Sequence, residues 1–370
     1  MKTFLKSESI SIGLAMFSMF FGAGNIIYPL AVGQYAGDQN LFAIFGLILT
    51  AAIMPIAGVI AMILYDGNYR DFFGKIGRIP GFLLSFMTIS LLGPLGSTPR
   101  CIALAYSTLK SFFLGVPLPL FSAIACAIIF LFTIKKKHIL SILGWILTPA
   151  LLIALLAIIA IGLITAPAAP HVNESPLAMF LHGLNEGYNT MDLLAAFFFS
   201  STIINILRVR SSNSAANKSQ YLTTAFQASL VAAGLLAAIY VGFSYIASFH
   251  GHDLLIEGKD ELLAAITLKL AGPYAGILVC AAIALACLTT AIALISAFAD
   301  FIQTELFKEH ISYETTLIIS LLVTFAISTF EFTGISAFLW PILQVSYPLL
   351  IALTFFNITA KLSKFNRPLT

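Results

Sequence analysis

Residues 20–29 read Phe-Phe-Gly-Ala-Gly-Asn-Ile-Ile-Tyr-Pro. They lie inside an apolar run from about residue 8 to 32. A bilayer-spanning helix needs roughly 20 apolar residues, and this run has them. Its middle nevertheless holds two glycines and an amide, and Pro29 removes a later backbone donor. Irregular backbone at that depth is tolerated only where it lines a cavity or is packed in protein. The stretch therefore predicts a membrane helix broken near its middle.

A second stretch has the same character. Residues 183–192 read Gly-Leu-Asn-Glu-Gly-Tyr-Asn-Thr-Met-Asp inside the apolar run 176–207. One such interruption alone is as well explained by a packing glycine, which is common in membrane helices. A matched pair is the pattern expected of a transporter built from inverted repeats.

The rest of the chain fits a membrane setting. Of 370 residues, 59% are hydrophobic and only 9% charged, where a soluble domain carries about 25% charged residues. The mean hydropathy is +0.99. Apolar runs bounded by charges or turn residues fall at about 8–32, 41–65, 79–113, 117–134, 139–165, 176–207, 222–249, 273–304, 314–330 and 334–358. The third run would be about 50 Å long as one straight helix. It must tilt or kink, and Pro94 and Pro99 mark the place. Lys2 and Lys6 before the first run resemble a secretion signal, but the run outlasts an h-region and reads as a retained first helix.

Basic residues orient the spans. With the N-terminus inside, the cytoplasmic segments hold Lys2, Lys6, Arg70, Lys75, Arg78, Lys135, Lys136, Lys137, Arg208, Arg210, Lys218, Lys308, Lys361, Lys364 and Arg367. The outer segments hold Lys110, Lys259 and Lys269, and Arg100 lies within the third run. This asymmetry supports ten spans with both termini cytoplasmic. The expected fold is an all-α polytopic membrane protein of about ten transmembrane helices. They form a five-plus-five inverted repeat, with helices one and six discontinuous. Residues 1–370 form one integral membrane domain, with repeats at about 8–165 and 176–358. The longest outer connection, 250–272, contains an amphipathic stretch at 260–270 that reads as a surface helix or an outer lid.

Several classes are disfavoured. No basic block suits nucleic acid, and no Walker, GxSxG or HExxH pattern is present. Cys101, Cys126, Cys280 and Cys287 all lie in apolar stretches and read as small buried side chains. His138, His171, His182, His250, His252 and His310 fall mostly in loops, with no metal-ligand spacing. No cofactor is implied, and the sequence carries no signal for an oligomeric state.

The motifs do resemble a known family. Phe21-Gly-Ala-Gly-Asn25 with Pro29, Leu92-Gly-Pro-Leu95 with Pro99-Arg100, Glu186 to Asp192 with Ile203-Ile-Asn205, and Cys287-Leu-Thr-Thr-Ala291 are together similar to the bacterial branched-chain amino acid:cation symporters (BrnQ-type carriers). The resemblance implies Na⁺- or H⁺-coupled uptake of leucine, isoleucine and valine, and possibly methionine, across the bacterial inner membrane. It also implies a leucine-transporter-like fold. Two features depart from the family. Its members have twelve spans against ten counted here, and Ala105-Tyr106-Ser107 stands where a Ser-Tyr-Glu-like triplet is expected.

Candidate residues follow. Backbone N–H groups of Ala23, Gly24 and Asn25 at a half-helix start suit the substrate carboxylate. Carbonyls around Gly187, Tyr188 and Asn189 suit its ammonium group. Tyr106, on span three, faces the site in similar folds. Thr289 and Thr290 with Ala286 offer oxygens to a hard cation, and the resemblance adds carbonyls near Ser18 and Phe21. Against this, membrane threonines often bond their own preceding turn. Glu186, Asp192 and Arg100 are charges in or near the membrane, where a charge points to function. With proton coupling, Glu186 or Asp192 would carry the proton, although a structural ion pair or helix cap explains them equally well. The alternatives are a non-transporting amino-acid sensor on the same scaffold, or a carrier for another small apolar zwitterion.

Overall fold

The computed structural model describes residues 2–110, 115–134, 148–212, 218–254, 256 and 258–365. The beginning of the fifth apolar run (139–147), Lys135, Lys136, Lys137, His138 and Arg367 lie outside the described residues. The described residues are almost all helical: α1 (Lys2–Phe20), α2 (Ala23–Ala36), α3 (Asn40–Ile48), α4 (Met54–Leu64), α5 (Tyr69–Phe73), α6 (Arg78–Leu92), α7 (Ser97–Lys110), α8 (Leu118–Ile134), α9 (Thr148–Ile164), α10 (Pro176–Tyr188), α11 (Asp192–Ser212), α12 (Lys218–His250), α13 (Leu262–Phe301), α14 (Tyr313–Ser328) and α15 (Glu331–Phe365). A π-helical turn at Leu49–Ile53 joins α3 to α4. Among the described residues, five helical stretches are long and apolar enough to cross a membrane, and five more are shorter apolar helices.

The first run is indeed broken. Phe21 and Gly22 leave the helix, and Gly22 is extended at φ −119°, ψ −164°. The Gly22 N–H donates to Asn25 Oδ1 at 3.0 Å rather than to the preceding turn. The second break is as clear. α10 stops at Tyr188, Met191 takes a left-handed φ of 64°, and α11 starts at Asp192. An acidic residue there complements the positive end of the new helix. The long third run is interrupted rather than tilted: α6 ends at Leu92 and α7 starts at Ser97. Gly93, Pro94 and Gly96 explain the stop, since they combine weak helix propensity with a lost donor. The stretch 260–270 is helical but not a separate surface element. It opens α13, buries Leu262, Leu263, Ile266 and Thr267, and bends at Gly272 (φ 73°) before Pro273.

Helices α1 and α2 both pack along α12, α3 along α10, and α7 along α13. Two crossings bring backbones together through glycine. A Cβ built on Gly33 would strike the backbone of Ser244. Gly46 lies against the backbone of Phe180 and Leu184, and Gly183 against that of Ala43. Thr50 Oγ1 donates across the second crossing to the Leu184 carbonyl at 3.0 Å. Small residues with an interhelical hydrogen bond are the usual glue between helices in lipid. Outward-facing Phe45, Ile53, Ile153, Leu322, Val345 and Phe356 leave the flanks apolar, as a lipid-facing surface requires.

The two ends of the bundle differ in charge. One end holds Arg70 bonded to Glu305 at 2.5 Å, Arg208 on the Asp66 carbonyl, and Lys361 over the Tyr65 ring at 4.6 Å. At the other, Asp38 pairs with His171 at 2.6 Å and accepts the Val172 N–H at 3.0 Å. The His171 hydrogen bond holds the Asp38 carboxyl below the usual carboxylate range, and Asp38 holds His171 above its own. A lowered carboxylate contributes stability that is lost as pH falls through it. A raised imidazole contributes stability that is lost as pH rises through it. The latch is therefore strongest between about pH 4 and 6.5. In a histidine NMR titration, His171 is expected to titrate above about 6.5, and Asp38→Asn is expected to bring it down.

Candidate functional site

The two breaks meet. A small cavity of about 20 Å³ lies between them, lined by Gly22, Ala23, Gly24 and Asn25 from the first break and Thr190, Met191 and Asp192 from the second. Arg100 and Cys101 of α7 and Thr290 of α13 complete its wall. That volume suits about one water. A cavity that takes up benzene measures about 150 Å³, so an apolar amino acid enters only when the lining helices part.

Each break turns a helix end toward the cavity. α2 presents its N-terminal turn, whose first N–H groups have no partner within the helix. Gly24 is pressed against the Asn189–Thr190 backbone, where an added Cβ would lie 3.1 Å from Thr190 Cα. Pro29 cannot donate to the carbonyl of Asn25 one turn back. Asn25 Nδ2 donates to Asp192 Oδ1 at 2.7 Å and also to the Tyr240 hydroxyl. Tyr240 in turn donates to Asp192 Oδ2 at 2.6 Å. This buried triad ties α2, α11 and α12 together. The Leu193 N–H donates to the Tyr347 hydroxyl at 3.1 Å, so α15 also supports the start of α11.

Arg100 enters from α7. Its side chain is 1% exposed. Nη1 donates to the Asn189 carbonyl at 3.0 Å and lies 3.6 Å from Met191 Sδ. The guanidinium sits over the rings of Tyr28 and Phe332 at 5.4 and 5.6 Å. Sequence reading singled out Arg100 and Asp192 as charges but gave no sign that they share a cavity. Tyr240 it missed altogether; only its apolar surroundings hinted at a buried hydroxyl in need of a partner.

The remaining candidates divide. Thr290 Oγ1 lies 3.0 Å from the Phe21 carbonyl and 3.4 Å from that of Ser18. The diversion of the Gly22 N–H to Asn25 is what leaves the Ser18 carbonyl open. Thr289 instead donates to its own preceding turn, to Ala286 O at 2.8 Å. Gly187 packs against Thr50, and its carbonyl accepts from Thr190 Oγ1 at 2.9 Å. Tyr188 stacks on Tyr347 at 4.6 Å, and its carbonyl accepts the Met191 N–H at 3.2 Å. Only Asn189 of that trio touches the site region, with its carbonyl on Arg100. Tyr106 stands apart: its hydroxyl donates to the Val116 carbonyl at 3.1 Å and its ring packs on Phe121. Glu186 pairs with Lys259 at 2.9 Å, at the Asp38 end of the bundle. All four cysteines are buried and free.

Two discontinuous helices around a small, polar-lined cavity, inside an apolar shell, are the arrangement of a membrane transport protein. Comparison with known families agrees. The family model "Branched-chain amino acid transport protein" matches residues 5–369, and the chain belongs to that family. Relatives include the branched-chain amino acid permease BrnQ of Bacillus subtilis, 31% identical over 94% of this chain and 80% of that one. The branched-chain amino acid transport system 2 carrier protein of Pseudomonas aeruginosa is 30% identical, over 95% and 81%. BrnQ of Escherichia coli is 30% identical, over 95% and 80%. The protein is thus a multi-pass membrane transporter and not an enzyme.

Proposed function

We propose that this protein is a secondary carrier that takes up branched-chain amino acids with Na⁺ or H⁺ across the bacterial inner membrane. The observation that carries the reading is the meeting of the two helix breaks at one small cavity. The α2 N-terminus, at Ala23, Gly24 and Asn25, receives the substrate carboxylate, because unpaired N–H groups and the helix dipole both favour an anion there. The chain crosses the membrane ten times in a five-plus-five inverted repeat with both termini in the cytoplasm. The charge difference between the two ends of the bundle supports that orientation.

The cation belongs on the other side of the first break. Helix α1 ends there with its negative pole, and its last carbonyls have no partner within the helix. Carbonyls of Ser18 and Phe21 together with Thr290 Oγ1 form an oxygen set of the kind a hard cation takes. The Ala286 carbonyl, one turn back along α13, instead accepts the Thr289 hydroxyl at 2.8 Å. Loss of one ligand is worth about tenfold in affinity for each 1.4 kcal/mol. With Na⁺ as the coupling ion, Thr290→Val is expected to raise the Na⁺ concentration for half-maximal leucine binding about tenfold. Binding at saturating Na⁺ should stay near wild type. Scintillation-proximity binding of radiolabelled leucine across a Na⁺ series measures both. A Thr290→Val protein with unchanged Na⁺ dependence would remove the ion from this site.

A further inference from the structure

The cavity contains an unmet charge. Among the lysines and arginines whose burial is described, only Arg100 is buried. Its Nε and Nη2 are buried and have no hydrogen-bond partner. Only Nη1 is engaged, and with a neutral carbonyl and a thioether. A guanidinium has five donors and cannot shed its proton. The nearby acids do not neutralise it by contact. Glu186 is held by Lys259 at 2.9 Å, and Asp192 is held by Asn25 and Tyr240. A buried charge left like this is costly unless something completes it. Its two ring partners, Tyr28 and Phe332, stabilise the positive charge but accept no hydrogen bond from Nε or Nη2.

The cavity offers the counterpart as well. Asp192 lies in the same wall, at the start of α11, with each carboxylate oxygen holding one hydrogen bond. The site thus sets one fixed cation and one carboxyl group, not bonded to each other, in a single wall. That is the complement of a zwitterion. We propose that Arg100 is the charge that binds the substrate's carboxylate, together with the first turn of α2, and that Asp192 receives its ammonium group. The proposal rests on the carrier reading above and moves the ammonium from the carbonyls of residues 187–189, which are engaged locally, to Asp192. It also makes the site selective for an intact α-amino acid over either half of one.

The test compares three ligands with leucine on purified carrier by competition against radiolabelled leucine. Leucinamide lacks the carboxylate charge, isoamylamine lacks the carboxylate, and 4-methylpentanoate lacks the ammonium group. Wild type should reject all three by about 100-fold, the scale of an unpaired buried charge. Arg100→Gln should weaken leucine by about the same factor and leave isoamylamine unchanged or better. Arg100→Lys should recover part of the loss, since it keeps charge but not the fork. Asp192→Asn should narrow the margin against 4-methylpentanoate. Without ligand, Arg100→Gln should melt no lower than wild type, because it removes an unsatisfied charge. A folded Arg100→Gln protein that binds leucine within threefold of wild type overturns the proposal. So does one that loses leucine and isoamylamine equally and melts lower, which assigns Arg100 a structural role. Leucine binding that depends on chloride in wild type, and loses that dependence in Arg100→Gln, places an inorganic anion on Arg100 and also overturns it. If wild type binds no apolar amino acid at all, the carrier reading fails instead.

Discussion

Gly183→Leu is expected to abolish folded protein. A Cβ at residue 183 would overlap the backbone of Ala43, including its carbonyl carbon at 2.7 Å. The clash is with main chain, so no rotamer change relieves it. On the facing helix, a Cβ on Gly46 would lie 2.7 Å from the Leu184 nitrogen. Overpacking costs about 1–3 kcal/mol even where side chains can adjust. Here the only relief is separation of α3 from α10, against a total stability of roughly 5–15 kcal/mol. Separation would also break the Thr50–Leu184 hydrogen bond and move the end of α10, which places the second helix break. Gly183→Ala should already lower the melting temperature in detergent. Gly234 in α12 provides the contrast: nothing lies within 4 Å of its Cβ position. Gly234→Ala should be neutral, or stabilising by up to about 1 kcal/mol. Melting curves and size-exclusion profiles of the variants measure the difference.

Asp192→Ala is expected to remove leucine uptake and to destabilise the protein as well. Its carboxylate is the acceptor for Asn25 Nδ2 and for the Tyr240 hydroxyl. Deleting it strips both donors of this partner in a site with no bulk water. An orphaned buried group costs about 1–3 kcal/mol. The triad also fixes the first turn of α2 against α11, so its loss displaces the N–H groups that face the cavity. Tyr240→Phe removes one arm only and should cost about 1 kcal/mol of stability, with a smaller loss of uptake. Transport that persists in folded Asp192→Ala would show that the cavity works without its acid.

How much of this was readable in the sequence follows from the range of each signal. The breaks at Phe21–Gly22 and 189–191 are local events, announced by glycine, asparagine and proline inside apolar runs. The interruption of the third run is announced by its excess length and by Pro94, whereas Pro99, the other expected kink, lies inside the first turn of α7. The approach of Thr290 to Ser18 and Phe21 came from resemblance, because no local rule joins residues 272 apart. The Asn25–Asp192–Tyr240 triad and the Arg100–Asn189 contact depend on packing between distant helices, so the sequence offered the charges but not their meeting. Gly187 shows the opposite difficulty. A glycine beside a helix break fits a substrate-binding backbone and a helix crossing equally well, and only the contact with Thr50 separates the two. The position of Tyr106 on span three points to the site, but the course of α7 carries its hydroxyl to the Val116 carbonyl.

A coupled carrier concentrates an apolar amino acid at the expense of an ion gradient. The direct test is radiolabelled leucine uptake into proteoliposomes under an inward Na⁺ gradient and, separately, an inward H⁺ gradient, with isoleucine, valine and methionine as competitors. We expect accumulation above the equilibrium level under one of the two gradients, abolished when that gradient is collapsed and reduced by the competitors. Binding of leucine without accumulation under either gradient, in protein shown to be folded, would contradict the claim and identify a sensor built on a carrier's frame.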